Sequence, residues 1–237
     1  MQTQYANNQL TVAQARQEAS TVFLAKVFNW MAIGLGVTGV IAFLTAHSGL
    51  AMAIVGSPVF FILILAELGM VFYLSARVDK IQPGTATGLF IGYSVLNGLT
   101  LSTVFLAYTK ASIGGTFLIT AGMFGAMAVY GLVTKRDLSG MGSFLFMGLI
   151  GIILASIVNI FLQSSSLYWT ISVIGVLVFV GLTAWDVQKI KQMGEQGIMQ
   201  QGEAAIRKGA IIGALALYLD FINLFLMLLR FFGGGRD

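Results

Sequence analysis

The 237-residue chain has no cysteine, one histidine and two prolines, and only 9% of its residues are charged. Without thiols there is no disulfide or thiolate chemistry, and a lone His47 rules out a histidine-rich metal cluster. Charge this sparse cannot cover a water-facing surface, for which an ordinary domain uses roughly a quarter charged residues. The net charge of +4 is small. It lies mostly in short connecting segments, which is a topology signal and not a nucleic-acid surface. What fills the chain is apolar: 57% of the residues are hydrophobic and 29 are glycine. The composition therefore predicts an all-α, polytopic membrane protein whose main partner is the lipid bilayer.

A bilayer core about 30 Å thick needs roughly 20 apolar residues at 1.5 Å rise per residue. Seven such runs are predicted, near 24–46, 57–76, 85–108, 113–133, 142–162, 167–189 and 209–231. No polar block between them is long enough for a separate fold. The reading is one integral membrane domain over 1–237, with a polar N-terminal tail at 1–22 and a seven-helix bundle at 23–233. The opening residues are not a basic region followed directly by a cleavable apolar segment, so the first run is expected to remain as an anchor. The longest connection is the polar stretch 191–208.

Lys and Arg orient the bundle. With the N-terminus inside, the inner face holds Arg16, Lys26, Arg77, Lys80, Lys135, Arg136, Lys189, Lys191, Arg207 and Lys208. The outer face holds Lys110, joined by Arg230 and Arg236 if the seventh run crosses fully. That bias predicts an inside N-terminus; a re-entrant seventh run would instead keep the basic end of the chain inside. Glycines inside the runs, as in "GAIIG" at 209–213 and "GLIG" at 148–151, are expected at close helix contacts. The match "GLGVTG" at 34–39 to a dinucleotide fingerprint sits in an apolar helix without a preceding strand, which excludes nucleotide binding there.

Three of the nine acidic residues fall inside predicted spans: Glu67, Asp186 and Asp220. A charge at a helix centre costs about 2.5–3.5 kcal/mol on insertion scales, so such residues face a partner or a cavity, or are held neutral. Asp186 and Asp220 together would share a proton, and Arg77, at the inner end of the second run, would compete for one carboxylate. Other partners stand beside this reading. Asp186 has Lys189 three residues on. Asp220 has the amides of Asn97, Asn159 and Asn223, and Glu67 can be hydrogen-bonded within the bundle.

The stretches "GLTAWDVQKIK" at 181–191 and "LALYLDFINLFLMLLRFFG" at 215–233 resemble the two most recognisable motifs of the Bax inhibitor-1, or transmembrane Bax inhibitor motif, family. The region 122–159 is similar to the centre of its bacterial members. The resemblance implies the Bax inhibitor-1 fold, seven transmembrane helices with the last one central. It implies a pH-sensitive calcium leak in which Asp186 and Asp220 form the proton-sensing pair, Arg77 is a latch and Glu67 lies on the ion path. It also implies a bacterial inner membrane.

Calcium suits oxygen ligands and irregular geometry. A leak needs only weak sites, so transient contacts at Asp186, Asp220 and Glu67 are expected, not a tight cage. Calcium is then cargo, protons are the regulator, and no cofactor is called for. Because some relatives act otherwise, a non-transporting protein that modulates a membrane protease or stress response through a membrane protein partner is the alternative. An enzyme is not expected: the sixth run reads "GLTAWD", without the G-x-G-D signature of intramembrane aspartyl proteases. The seventh has no lysine between 210 and 229 to hold retinal.

Overall fold

A computed structural model describes residues 2–234, and side chains over 14–234. In chain order the helices are α1 (Gln2–His47), α2 (Leu50–Val55), α3 (Val59–Arg77), α4 (Pro83–Leu101), α5 (Val104–Ala107), α6 (Lys110–Val133), α7 (Ser139–Leu162), α8 (Ser165–Glu195) and α9 (Glu203–Phe232). Among the described residues seven helical segments are long and apolar enough to cross a membrane, with α4 and α5 together making one of them. The two prolines stand at helix starts, Pro58 before α3 and Pro83 opening α4, where a missing N–H disturbs nothing. Thr109 starts α6 by accepting the Ser112 N–H at 3.2 Å.

Two boundaries differ from the sequence expectation. The first helix begins at Gln2 and not near 24, because Gln, Ala, Glu and Arg are competent helix formers whether or not lipid surrounds them. The polar stretch 191–208 is mostly helical. The helix α8 runs on to Glu195, a 3-10 turn covers Ile198–Gln200, and α9 starts at Glu203. The reversal is made at Gly197 and Gly202, with φ of 91° and 87°, a conformation that a Cβ would strain.

The chain divides into two compact units. One is built from the chain up to Leu101 with Lys189–Leu215, the other from Ser102–Gln188 with the chain from Ala216 onwards. In the first unit α1 lies along α4: Thr38 Oγ1 donates to the Ser94 carbonyl at 2.9 Å, and Gly98 packs on the Thr38 carbonyl and Ile41. The foot of α9 is tied to the α3–α4 turn, where Lys208 Nζ donates to the Asp79 carbonyl at 2.9 Å and Arg207 Nε to Thr87 Oγ1 at 3.1 Å. Gly209 and Gly213 meet Ile198 and Val27, a packing role. The "GLGVTG" stretch is uninterrupted α1, with Gly34 against Phe90.

In the second unit α8 is gripped by α6 and α7. Gly131 of α6 packs on the Ala184 backbone, Gly142 of α7 on the Trp185 indole, and Gly148 on Val178. Gln188 bridges the α6–α7 turn: its Oε1 accepts the Leu138 N–H at 2.9 Å and its Nε2 donates to the Arg136 carbonyl at 2.8 Å. Gln188→Ala would strand both backbone groups, and we expect a loss of about 2 kcal/mol. The readout is a thermal midpoint about 5 °C lower in detergent.

The last helix is the most enclosed of the seven. Of its most apolar 18 residues 72% are buried, against 44% in α8 and 11% in α3 and in α7. Its 30 residues form one unbroken helix about 45 Å long, enough to cross. It finishes beside the starts of α6 and α8, where Gly234 N–H donates to Ser112 Oγ and Arg230 reaches Ser172. Over Glu203–Phe232 it makes no re-entrant turn.

Candidate functional site

In the second unit, α8 carries Asp186 and α9 carries Asp220. The grip of Gly131 and Gly142 on residues 184 and 185 fixes the rotation of α8 immediately before Asp186. Asp220 is 4% exposed, and its carboxyl is hydrogen-bonded to that of Asp186. Two carboxylates offer acceptors only, so a hydrogen bond between them requires a proton on one of the two. The second oxygen of Asp220, Oδ2, is buried without a hydrogen-bond partner. Counting from Glu203, Asp220 is 17 residues up α9, about 25 Å, whereas Asp186 is 9 residues from the end of α8 at Glu195, about 14 Å. They meet because α9 starts well below the level at which α8 ends.

The amides offered to Asp220 by the sequence are engaged elsewhere. Asn223 Nδ2 donates to the Leu219 carbonyl at 2.8 Å, one turn back in its own helix. Asn159 Oδ1 accepts the Ser164 N–H at 3.0 Å, closing the end of α7 next to Gln163, whose φ is 49°. Short amide side chains find nearby backbone first, and these two do so. Lys189, the local cation for Asp186, is exposed, and Asp186 also reaches Asp220.

A second polar patch lies in the first unit between α3 and α4. Glu67, half-buried, accepts a hydrogen bond from the Thr100 hydroxyl and one at 3.3 Å from Asn97 Nδ2, and Asn97 also reaches Tyr93 Oη at 3.4 Å. Asn97 thus serves Glu67. Thr100 and Tyr93 were not singled out from the sequence, although Tyr93, Asn97 and Thr100 recur at spacings of four and three on one face of α4, which is a readable signal. Thr100→Val should cost about 1 kcal/mol, the size of an ordinary hydrogen bond, because Glu67 is half-exposed. A thermal midpoint equal to wild type would show that Asn97 alone suffices.

Arg77 is the last residue of α3, with its side chain exposed and its carbonyl accepting the Lys80 and Ile81 N–H groups at 2.9 and 3.1 Å. Among the described residues no three His, Cys, Asp or Glu side chains converge as a metal site would require.

Residues 20–237 match the sequence profile of the family described as "Inhibitor of apoptosis-promoting Bax1". The inner membrane protein YbhL of Escherichia coli K12 is 54% identical over 228 residues, covering 95% of this chain and 97% of that protein. An uncharacterised protein of Borreliella burgdorferi is 48% identical over 233 residues, 96% of this chain and 99% of its own length. One from Deinococcus radiodurans is 44% identical over 238 residues, 100% and 98% of the two chains. With likeness running through all seven crossing segments, this integral membrane protein belongs to the Bax inhibitor-1 family.

Proposed function

We propose that the protein is a pH-sensitive, calcium-permeable leak of a bacterial inner membrane, controlled by the proton that Asp186 and Asp220 share. The single observation that carries this reading is the carboxyl-to-carboxyl contact held deep in the second unit. A structural acid has no need of a second acid as its partner. A shared proton makes the contact depend on pH: with it the two helices are bridged, and without it two like charges face each other in a medium that screens them poorly.

Glu67 supplies a carboxylate of a second kind, half-exposed and held by neutral donors, which suits a brief stop for a hydrated cation. Arg77 enters as the competing cation on the strength of the family resemblance alone. The excess of Lys and Arg on one side supports an inside N-terminus, and the name of the Escherichia coli relative supports the inner membrane.

The test is calcium flux into vesicles holding the purified protein, read across a pH series for wild type, Asp186→Asn and Asp220→Asn. Wild-type flux should vary with pH and both variants should lose that variation. No flux above protein-free vesicles would remove the leak and leave a non-transporting interaction protein as the better account.

A further inference from the structure

The end of the second unit where α9 finishes is closed by contacts that the aspartate pair does not require. The Arg230 guanidinium carbon lies 4.5 Å from the centroid of the Tyr168 ring, and its Nη1 donates to Ser172 Oγ at 3.2 Å. Ser172 is fully buried and donates in turn to the Tyr168 carbonyl at 2.9 Å. The Tyr108 and Tyr168 side chains are hydrogen-bonded, and Trp169 packs on Phe231 with centroids 5.1 Å apart. Beyond α9 the chain turns onto the start of α6: Gly234 N–H donates to Ser112 Oγ at 2.9 Å, and the Gly234 carbonyl accepts the Thr109 N–H at 3.3 Å.

Beneath this closed end two buried polar groups lack partners. Thr116, one turn along α6 from Ser112, is 1% exposed and its hydroxyl has no hydrogen bond. Asp220 Oδ2 is the other. Phe117 packs on both Phe221 and Phe225, and Phe124 on Phe221, so α6 runs antiparallel to α9 and Thr116 falls between the levels of Arg230 and Asp220. A buried hydroxyl and a carboxyl oxygen without partners are costly unless water or a cation reaches them.

We propose that Arg230 controls access of hydrated cations to this polar line, and through it to the Asp186–Asp220 pair. Its meaning in the cell rests on the leak reading above. Held on Tyr168 and Ser172, the guanidinium keeps one fixed positive charge at this end of the unit, ten residues or about 15 Å along α9 from Asp220. That charge repels a divalent ion twice as strongly as a monovalent one. The contacts that hold it are a cation–π stack and one hydrogen bond between side chains, weak enough to release.

Because the chain has no cysteine, Thr116→Cys is a unique probe for a membrane-impermeant cationic thiol reagent on the protein in detergent. With Arg230 in place labelling should be slow. Arg230→Gln should accelerate it roughly tenfold, the scale on which a fixed charge alters the arrival of a charged ligand. Ser172→Ala keeps the charge and removes its acceptor, so a smaller acceleration is expected, and this milder change decides the matter if Arg230→Gln does not fold. Fast labelling with Arg230 in place, or rates unchanged in both variants, would overturn the proposal. In vesicles Arg230→Gln should raise calcium flux while its pH dependence remains. A wild type that passes no calcium sinks the leak and leaves the labelling result standing; a pH-dependent leak with unaltered labelling sinks the role of Arg230 alone.

Discussion

Gly131→Ala is expected to lower the thermal midpoint of the protein by roughly 10 °C, the equivalent of about 3 kcal/mol in a chain of this size. A Cβ at position 131 would overlap the carbonyl oxygen of Ala184 and crowd its carbonyl carbon and Cα, and these are backbone atoms of α8 that cannot rotate away. Gly142→Ala meets the five-membered ring of Trp185 in the same manner, from the other neighbouring helix. Both close approaches fall just before Asp186, so pushing α8 outward also moves Asp186 relative to Asp220. The comparison variant is Gly122→Ala in α6, where a Cβ would meet nothing within 4 Å. There the smaller conformational freedom of alanine should leave stability unchanged or slightly raised. Equal midpoints for Gly131→Ala and Gly122→Ala would show that the α6–α8 contact is looser than these distances require.

Asp220→Asn carries the second large effect. An asparagine brings its own N–H donors, so its hydrogen bond to Asp186 needs no shared proton and persists as pH changes. Calcium flux should therefore flatten across the pH series, retaining less than about a tenth of the wild-type variation if the pair is the sensor. Asp186→Asn should do the same from the other side. If the two residues hold one proton between them, as proposed, the double variant should be no flatter than either single one, because their effects cannot add. Additive loss in the double variant would mean that the two acids titrate independently and that the contact is structural.

The two experiments separate stability from control. Gly131→Ala should cost stability first and pH response as a consequence, whereas Asp220→Asn should change pH response while the helix contacts around residues 184 and 185 stay as they are. Gln188→Ala belongs with the glycine, since Gln188 pins the turn between α6 and α7 to the same helix two residues beyond Asp186.

The sequence by itself determined the number of crossing helices, the all-α class and the three acids that lie within apolar runs. Whether a run of about 20 residues prefers lipid depends on its own composition, so this much is written locally. Family membership was legible too, in "GLTAWDVQKIK" and in the last helix. Which groups stand beside each acid is a matter of tertiary structure. Asp186, Asn97, Asn159 and Asn223 were all open to Asp220, and Asp186 lies against it because of the depth and rotation of α8 and α9. Those depend on the long foot of α9 below Gly209 and on Gly131 and Gly142 against residues 184 and 185. The Glu67 patch was half visible, in the four-and-three spacing of Tyr93, Asn97 and Thr100, but not the face of α3 that would meet it. Hydropathy along a chain fixes how often it crosses the membrane; which side chains meet inside is fixed by how closely neighbouring backbones approach, and that is a property of pairs of helices.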